Sequence, residues 1–256
     1  MGLTHRPGSM GGTTMAKKAS PNGDTEAEEL NDRTRSELDG QFIELSNGFV
    51  HYELTGPAGA QTVVLIHGNA APYFSWDHTV PALLKAGFRV LRYDLYGQGF
   101  SDRPRINRYN RSLYDQQLSE CLDSLEITTA VDIVGTSQGG AIATYFTANH
   151  PERVRKLALL APLYDTFTGA RIISLIALPR LGEYMFRVLG DRMALKNLKK
   201  VFASTAPAPE FVEKSKGPMR FEGLKRARLA NLRGDALKGN QLFYKEVEHQ
   251  KRALAN

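Results

Sequence analysis

The sequence predicts an α/β fold: a mostly parallel sheet with helices on both faces, followed by a helical cap. Three observations predict it. Short runs rich in β-branched and large apolar residues, TVVLIH at 62–67, FRVLRY at 88–93 and VDIVG at 131–135, suit strands in the middle of a sheet. These runs alternate with helical segments, the pattern of parallel strands joined by crossover helices. The residues with chemistry to offer, His67, Asp94 and Ser137, all fall at the carboxyl ends of the runs, where sites form in such sheets.

Residues 1–38 are expected to be a flexible tail. Gly, Ser, Thr and scattered basic residues fill much of the first twenty positions, and an acidic stretch from Asp24 to Asp39 follows. So few apolar side chains cannot offset the entropy of ordering the segment. Met10 and Met15 follow Met1 closely, as an upstream start or an expression scar would leave them.

Ordered structure is expected from 39 to 162. Gln41 to Leu45 and Phe49 to Leu54 flank Ser46-Asn47-Gly48, a hairpin signature with an Asn-Gly turn. Thr62 to His67 reads as a central parallel strand leading into His67-Gly68-Asn69. Val80 to Ala86 is a short helix that Gly87 ends. Phe88 to Tyr93 is the next strand, and Ser112 to Leu125 a helix with Tyr114, Leu118, Cys121, Leu122 and Leu125 on one stripe. Val154 to Pro162 reads as one more buried strand.

Between these lies AVDIVGTSQGGAIATYFTANH, residues 130–150. A strand turns through Gly135-Thr136-Ser137-Gln138-Gly139 into a helix that His150-Pro151 stops. A serine between strand and helix, with glycine two residues away on each side, is a nucleophile elbow. The turn forces Ser137 to an unfavourable backbone angle, and the glycines at 135 and 139 let neighbouring backbones pass.

Composition narrows the partners. The net charge is +6, but the basic residues form no dense run with aromatics between them, so nucleic acid is not expected. The single cysteine, Cys121, excludes an internal disulfide and a multi-cysteine metal site. No metal cluster or phosphate loop is present in the sequence, so no cofactor is expected. No window is apolar and long enough to span a membrane and the N-terminus carries no signal core, so the expected location is cytoplasmic.

Residues 163–256 show helical apolar spacing throughout, and are expected to form the cap. From Arg192 to Arg233 there are eleven Lys and Arg against three Glu, with Phe202, Phe211 and Phe221 interspersed. That is a solvated helical face or a surface that settles on anionic lipid.

The segments His67-Gly68-Asn69, Asp94 to Pro104 and Gly135 to Gly139, with the helix and His150-Pro151-Glu152-Arg153-Val154 that follow, resemble the α/β-hydrolase fold family, and the likeness runs from about 41 to 162. Within it the Asp94 loop looks most like lipases and esterases of the monoacylglycerol lipase type. The resemblance implies Ser137 as nucleophile and the N–H groups of Gln138 and Asn69 as oxyanion donors. It makes His67 and Gly68 loop-shaping residues and Asp94 a turn stabiliser. Family members that open epoxides or remove halides use aspartate at the elbow, so serine implies acyl transfer through an acyl-enzyme on a carboxylic ester. Peptide, thioester and carbon–carbon bonds remain alternatives on the same fold.

The family order is serine, acid, histidine. After Leu160 no further strand is legible, so the last two strands are expected to be missing, and with them the acid and the base. Asp235 and His249 stand in the right order, and Asp165 and Asp191 are further acids, but Gln241 to Ala255 reads as a single helix. The competing expectation is therefore a truncated or catalytically dead hydrolase-like protein that is a binding module or a non-functional fragment. Oligomeric state is not legible.

Overall fold

The computed structural model describes residues 26–69, 71–164, 178–188, 190, 209–238 and 240–253. Strands β1 (Gln41–Leu45), β2 (Gly48–Thr55), β3 (Thr62–Ile66), β4 (Arg89–Tyr93), β5 (Val131–Thr136) and β6 (Val154–Leu160) form one sheet in the order β1-β2-β4-β3-β5-β6. β1 and β2 are the antiparallel hairpin, with Leu45 opposite Gly48 across a two-residue loop. β2 also runs antiparallel to β4, whereas β3, β4, β5 and β6 pair in parallel. The expected strands are therefore all present, with ends that differ by one or two residues.

Alternation along β3 divides the core. Val64 and Ile66 face α3 (Arg111–Ser124) and α4 (Gln138–Asn149), packing with Tyr114, Leu118, Cys121 and Phe146. Val63 and Leu65 face the opposite side, with Trp76 and the Val80 of α2 (Val80–Lys85). Helices thus cover both faces. Cys121 is fully buried in the larger cluster, and burial pushes its thiol well up.

Two expectations need correction. By its composition β6 reads as a buried strand, but among the described residues it is the outer strand of the sheet, the exposed edge expected if the last two strands are missing, and most of it is at least partly exposed, with Leu160 at 50%. Position in a sheet depends on which strands pair, and local composition does not encode that. The stretch 26–38 was expected to belong to the flexible tail, yet it is folded. Asn31 and Thr34 make a reciprocal capping box at α1 (Asp32–Ser36). Ala27 and Glu28 donate to the Arg220 carbonyl, and the Glu26 carboxylate accepts from the N–H groups of Gly223 and Lys225. Hydrogen bonds to Arg220 and to Gly223 and Lys225 at the next helix start, with an Arg35–Asp102 ion pair at 2.7 Å, hold this segment rather than extensive apolar burial. Residues 1–25 lie outside the described residues.

Of the region expected as the cap, a helical stretch at 181–188, α5 (Pro209–Lys216), α6 (Leu224–Arg233) and α7 (Gln241–Ala253) are described. Asp165, Asp191 and the basic residues at 192–200, with Phe202, lie outside the described residues. α7 packs on α4, where Phe243 meets Tyr145 edge-on at 4.8 Å. Among the described residues no helix is long and apolar enough to cross a membrane, and no group of three His, Cys, Asp or Glu could hold a metal ion.

Candidate active site

The carboxyl ends of β3, β4 and β5 carry the three segments singled out in the sequence. Ser137 ends the turn from β5 into α4 with φ 50° and ψ −117°, a region that L-residues rarely adopt. The turn can be this tight because of its glycines. A Cβ at Gly139 would collide with the carbonyl oxygens of Ile66 and His67, and one at Gly135 with the Gly139 carbonyl. The Ser137 N–H donates to Leu160 on β6 (3.1 Å), and its carbonyl accepts from Gly140, Ala141 and Leu163. Its backbone is thus pinned from both sides.

The side chain is not pinned. Ser137 occupies the N-cap position of α4, where a serine usually caps the helix with its hydroxyl. Here no side-chain cap bond forms, and the residue is exposed. The hydroxyl is left for another use. Gln138 is the first residue of α4, so its N–H is one of those a helix leaves unpaired. Gly68 passes against the serine, since a Cβ there would lie 3.2 Å from the Ser137 Cβ. Asn69 follows it and is exposed.

Behind Ser137 lies a group of neutral amides that sequence inspection missed. The Gln138 side chain is fully buried; it donates to Asn231 Oδ1 (3.0 Å) and accepts from Asn231 Nδ2 (3.2 Å). Asn231 Nδ2 also donates to Asn69 Oδ1 (3.0 Å), and Gln98 Nε2 donates to Gln138 Oε1 (3.4 Å). The one signal available was helical spacing: Leu224, Ala227 and Ala230 mark the buried stripe of α6, and Asn231 is a polar residue on it.

The loop after β4 is organised by a charged pair. Asp94 and His51 are both 0% exposed, with His51 Nδ1 2.8 Å from Asp94 Oδ2. His51 Nε2 lies 2.8 Å from the Asp39 carbonyl oxygen. Both ring nitrogens face acceptors, so both donate and His51 is an imidazolium. Burial alone would lower the His51 pKa, but the hydrogen bond and charge of Asp94 outweigh it and raise it above the usual histidine value. Burial likewise pushes the Asp94 carboxyl up, and the bond and charge of His51 reverse this, leaving it below the usual carboxylate value. Asp94 also accepts from the N–H groups of Tyr73 (2.9 Å) and Phe100 (3.0 Å).

His67 accepts the Leu95 N–H at Nε2 (3.0 Å), so its Nδ1–H donates to the Gly68 carbonyl (2.8 Å). The ring is neutral, and burial lowers its pKa. These bonds tie the β3 loop to the β4 loop.

Asp235 and His249 are not brought to Ser137. The Asp235 carboxylate accepts from the Arg111 N–H (2.7 Å) at the start of α3 and pairs with the Arg111 guanidinium at 3.6 Å. His249 is exposed on α7. Of the other described histidines, His150 bonds Asp115 (3.2 Å) and His78 is exposed. Among the described residues no histidine is hydrogen-bonded to Ser137.

Residues 61–192 match the model of the α/β hydrolase fold family, just over half of the chain. The chain belongs to that family. A 2-hydroxy-6-oxononadienedioate/2-hydroxy-6-oxononatrienedioate hydrolase of Cupriavidus pinatubonensis is 37% identical over 170 residues, covering 63% of this chain and 56% of that protein. The 2-hydroxymuconate semialdehyde hydrolase of a Pseudomonas species is 40% identical over 101 residues, 38% of this chain and 35% of that protein. The aligned regions thus span about half or less of these relatives. Among solved structures, the haloalkane dehalogenase DatA of Agrobacterium tumefaciens superposes with a TM-score of 0.67 at 23% identity, over 83% of this chain and 75% of that one. That likeness supports the fold alone.

Proposed function

We propose that this chain is a serine hydrolase that cleaves carboxylic esters through an acyl-enzyme on Ser137. The observation that carries the proposal is the Ser137 hydroxyl: exposed, held on a strained backbone at a helix start, and not used as a cap. In the reaction the Ser137 oxygen bonds the acyl carbon, and the carbonyl π pair moves onto its oxygen as an oxyanion. The Gln138 and Asn69 N–H groups are the proposed donors to that oxyanion; one such donor is worth about 3–4 kcal/mol of transition-state stabilisation. Collapse expels the alcohol, which leaves with the serine proton. Water then adds to the acyl-enzyme, releasing the carboxylic acid and restoring the hydroxyl.

His67 and Asp94 are framework in this proposal, because their hydrogen-bonding atoms are already committed within the loops. A lipase-like acylglycerol substrate of the monoacylglycerol lipase type is supported by the Asp94 loop sequence alone. The names of the relatives favour a second substrate class, 2-hydroxy-6-oxo acids and their semialdehyde counterpart, whose oxo carbonyl offers Ser137 an electrophilic carbon but a carbon–carbon bond to break. A third reading, a hydrolase fold that binds without turnover, is favoured by the lack of a histidine bonded to Ser137 among the described residues.

One experiment separates the three. The chain is incubated with a fluorophosphonate probe, a short p-nitrophenyl ester, a monoacylglycerol and a 2-hydroxy-6-oxo dienoate, beside Ser137→Ala. The proposal expects probe labelling and ester turnover, both abolished by Ser137→Ala. Turnover of the keto acid alone moves the assignment to carbon–carbon cleavage. If the chain neither labels nor turns over, the proposal fails and the catalytically dead reading stands.

A further inference from the structure

Asn231 is 3% exposed, and its amide makes four hydrogen bonds. Nδ2 donates to Asn69 Oδ1 (3.0 Å) and Gln138 Oε1 (3.2 Å), while Oδ1 accepts from Gln138 Nε2 (3.0 Å) and the Tyr114 hydroxyl (3.1 Å). Two donors and two acceptors exhaust what a primary amide can do. Three of the four bonds go to the two residues whose backbone N–H groups are the proposed oxyanion donors.

The two donor residues are held unequally. Gln138 is buried and sits in the first turn of α4, so its backbone is fixed by the helix. Asn69 is exposed, lies beyond the end of β3, and follows a glycine that offers no side chain to anchor the loop. Its side-chain bond to Asn231 is the tether that the described residues provide. An oxyanion donor contributes most when it stands in place before charge develops, because no reorganisation is then needed in the transition state. A leucine at 231 would fill comparable space on α6, but it has no side-chain N–H groups, whereas the two on Asn231 Nδ2 join Asn69 and Gln138 at once.

We infer that Asn231 is a positioning residue: it latches α6 to Asn69 and Gln138 and sets the spacing of the two proposed oxyanion N–H groups. This rests on the proposed serine-hydrolase reading. It also makes the site dependent on α6, so a shift of that helix would loosen the Asn69 donor without touching Ser137.

The test is a double-mutant cycle with two readouts. Asn69→Ala keeps the backbone N–H, removes the tether from an exposed position, and is not expected to disturb folding; Asn231→Ala removes it from the buried side. Each single variant is expected to slow fluorophosphonate labelling of Ser137 by about tenfold to a hundredfold, somewhat less than outright loss of a donor. The double variant is expected to lose no more than Asn231→Ala alone, since that change has already broken the link that Asn69→Ala removes. With a p-nitrophenyl ester kcat falls and KM stays within about twofold, because the lost interaction exists only in the transition state. Independently of activity, amide exchange in the segment 66–72 is expected to quicken in both variants.

Labelling within twofold of the parent, or losses that simply add, would overturn the latch. So would unchanged exchange at 66–72. If the parent itself neither labels nor turns over, the serine-hydrolase reading fails; faster exchange would then still establish the tether, and unchanged exchange would remove it. Should Asn231→Ala fail to fold, Asn69→Ala alone decides through the same two readouts.

Discussion

At the carboxyl edge of the sheet the His51–Asp94 pair is charged and 0% exposed, whereas the Asn231–Gln138 pair is neutral and connects to the surface at Asn69. The first binds backbone: Asp94 takes the Tyr73 and Phe100 N–H groups, and His51 reaches the Asp39 carbonyl. The second binds the side chains that flank Ser137. The difference is instructive. A buried charge pair is strong where it is sealed and would distort the field at a reacting centre, so it serves as framework. Amides present dipoles without net charge, and next to Ser137 they leave the helix-start N–H groups as the positive pole for a developing anion.

The comparison breaks most sharply at Asp94. Asp94→Ala strands a buried imidazolium and two backbone N–H donors, so a loss of about 3–5 kcal/mol is expected in urea unfolding. Asn231→Ala removes only neutral bonds and should cost about 1–3 kcal/mol. Equal losses would mean that the two nodes do not differ in kind.

The pH dependence of stability carries the same contrast. His51 is raised above its ordinary 6.5, so its contribution is complete below pH 6.5 and is lost as pH climbs through the folded value. Asp94 is lowered below its ordinary 3.8, so its contribution is complete above that pH and is lost as pH falls through the folded value. Both are complete between pH 3.8 and 6.5, the expected plateau for this pair. Asp94→Ala should flatten the alkaline limb. Asn231→Ala should leave it unchanged, and a limb that moved with Asn231 would merge the two nodes.

Gly139→Ala tests how tightly the elbow is pressed against the β3 loop. The new Cβ would collide with the Ile66 and His67 carbonyls, and an overpacking loss of about 1–3 kcal/mol is expected. A neutral result would show that the β3 loop can yield, which would also weaken the case for fixed donors at Asn69.

How much of this could be read from the sequence follows from the range of each interaction. The elbow was legible because its determinants, a strand, two glycines and a helix, lie within twenty residues. The central strands and the Cys121 stripe were legible from periodicity. His51 was not: it sits in an alternating strand, and its partner Asp94 is 43 residues away. Asn231 is 93 residues from Gln138 and 162 from Asn69, in a helix rich in Arg and Lys where a polar residue carries no signal by itself. The stretch 26–38 misled for a related reason. Its scarcity of apolar residues predicted disorder, while backbone bonds to Arg220 and the Glu26 carboxylate at the start of α6 hold it. β6 matched its composition as a strand, but its place at the sheet edge follows from pairing partners.

The smallest effect falls on Ser137 itself. Its φ of 50° and ψ of −117° store strain on the order of 1–3 kcal/mol, a usual range for such backbone at functional positions. Glycine tolerates this region, but its unfolded chain is more flexible by roughly 0.5–1 kcal/mol, so Ser137→Gly should stabilise the fold by only about 1 kcal/mol. The same change removes the proposed nucleophile, so labelling should vanish as the urea midpoint rises. That opposition is what a site shaped for chemistry should show, because the strain that exposes the hydroxyl lowers stability. If Ser137→Gly lowered the midpoint, the hydroxyl would be holding the elbow together. The contrast between a framework node and a site node would then lose its second half.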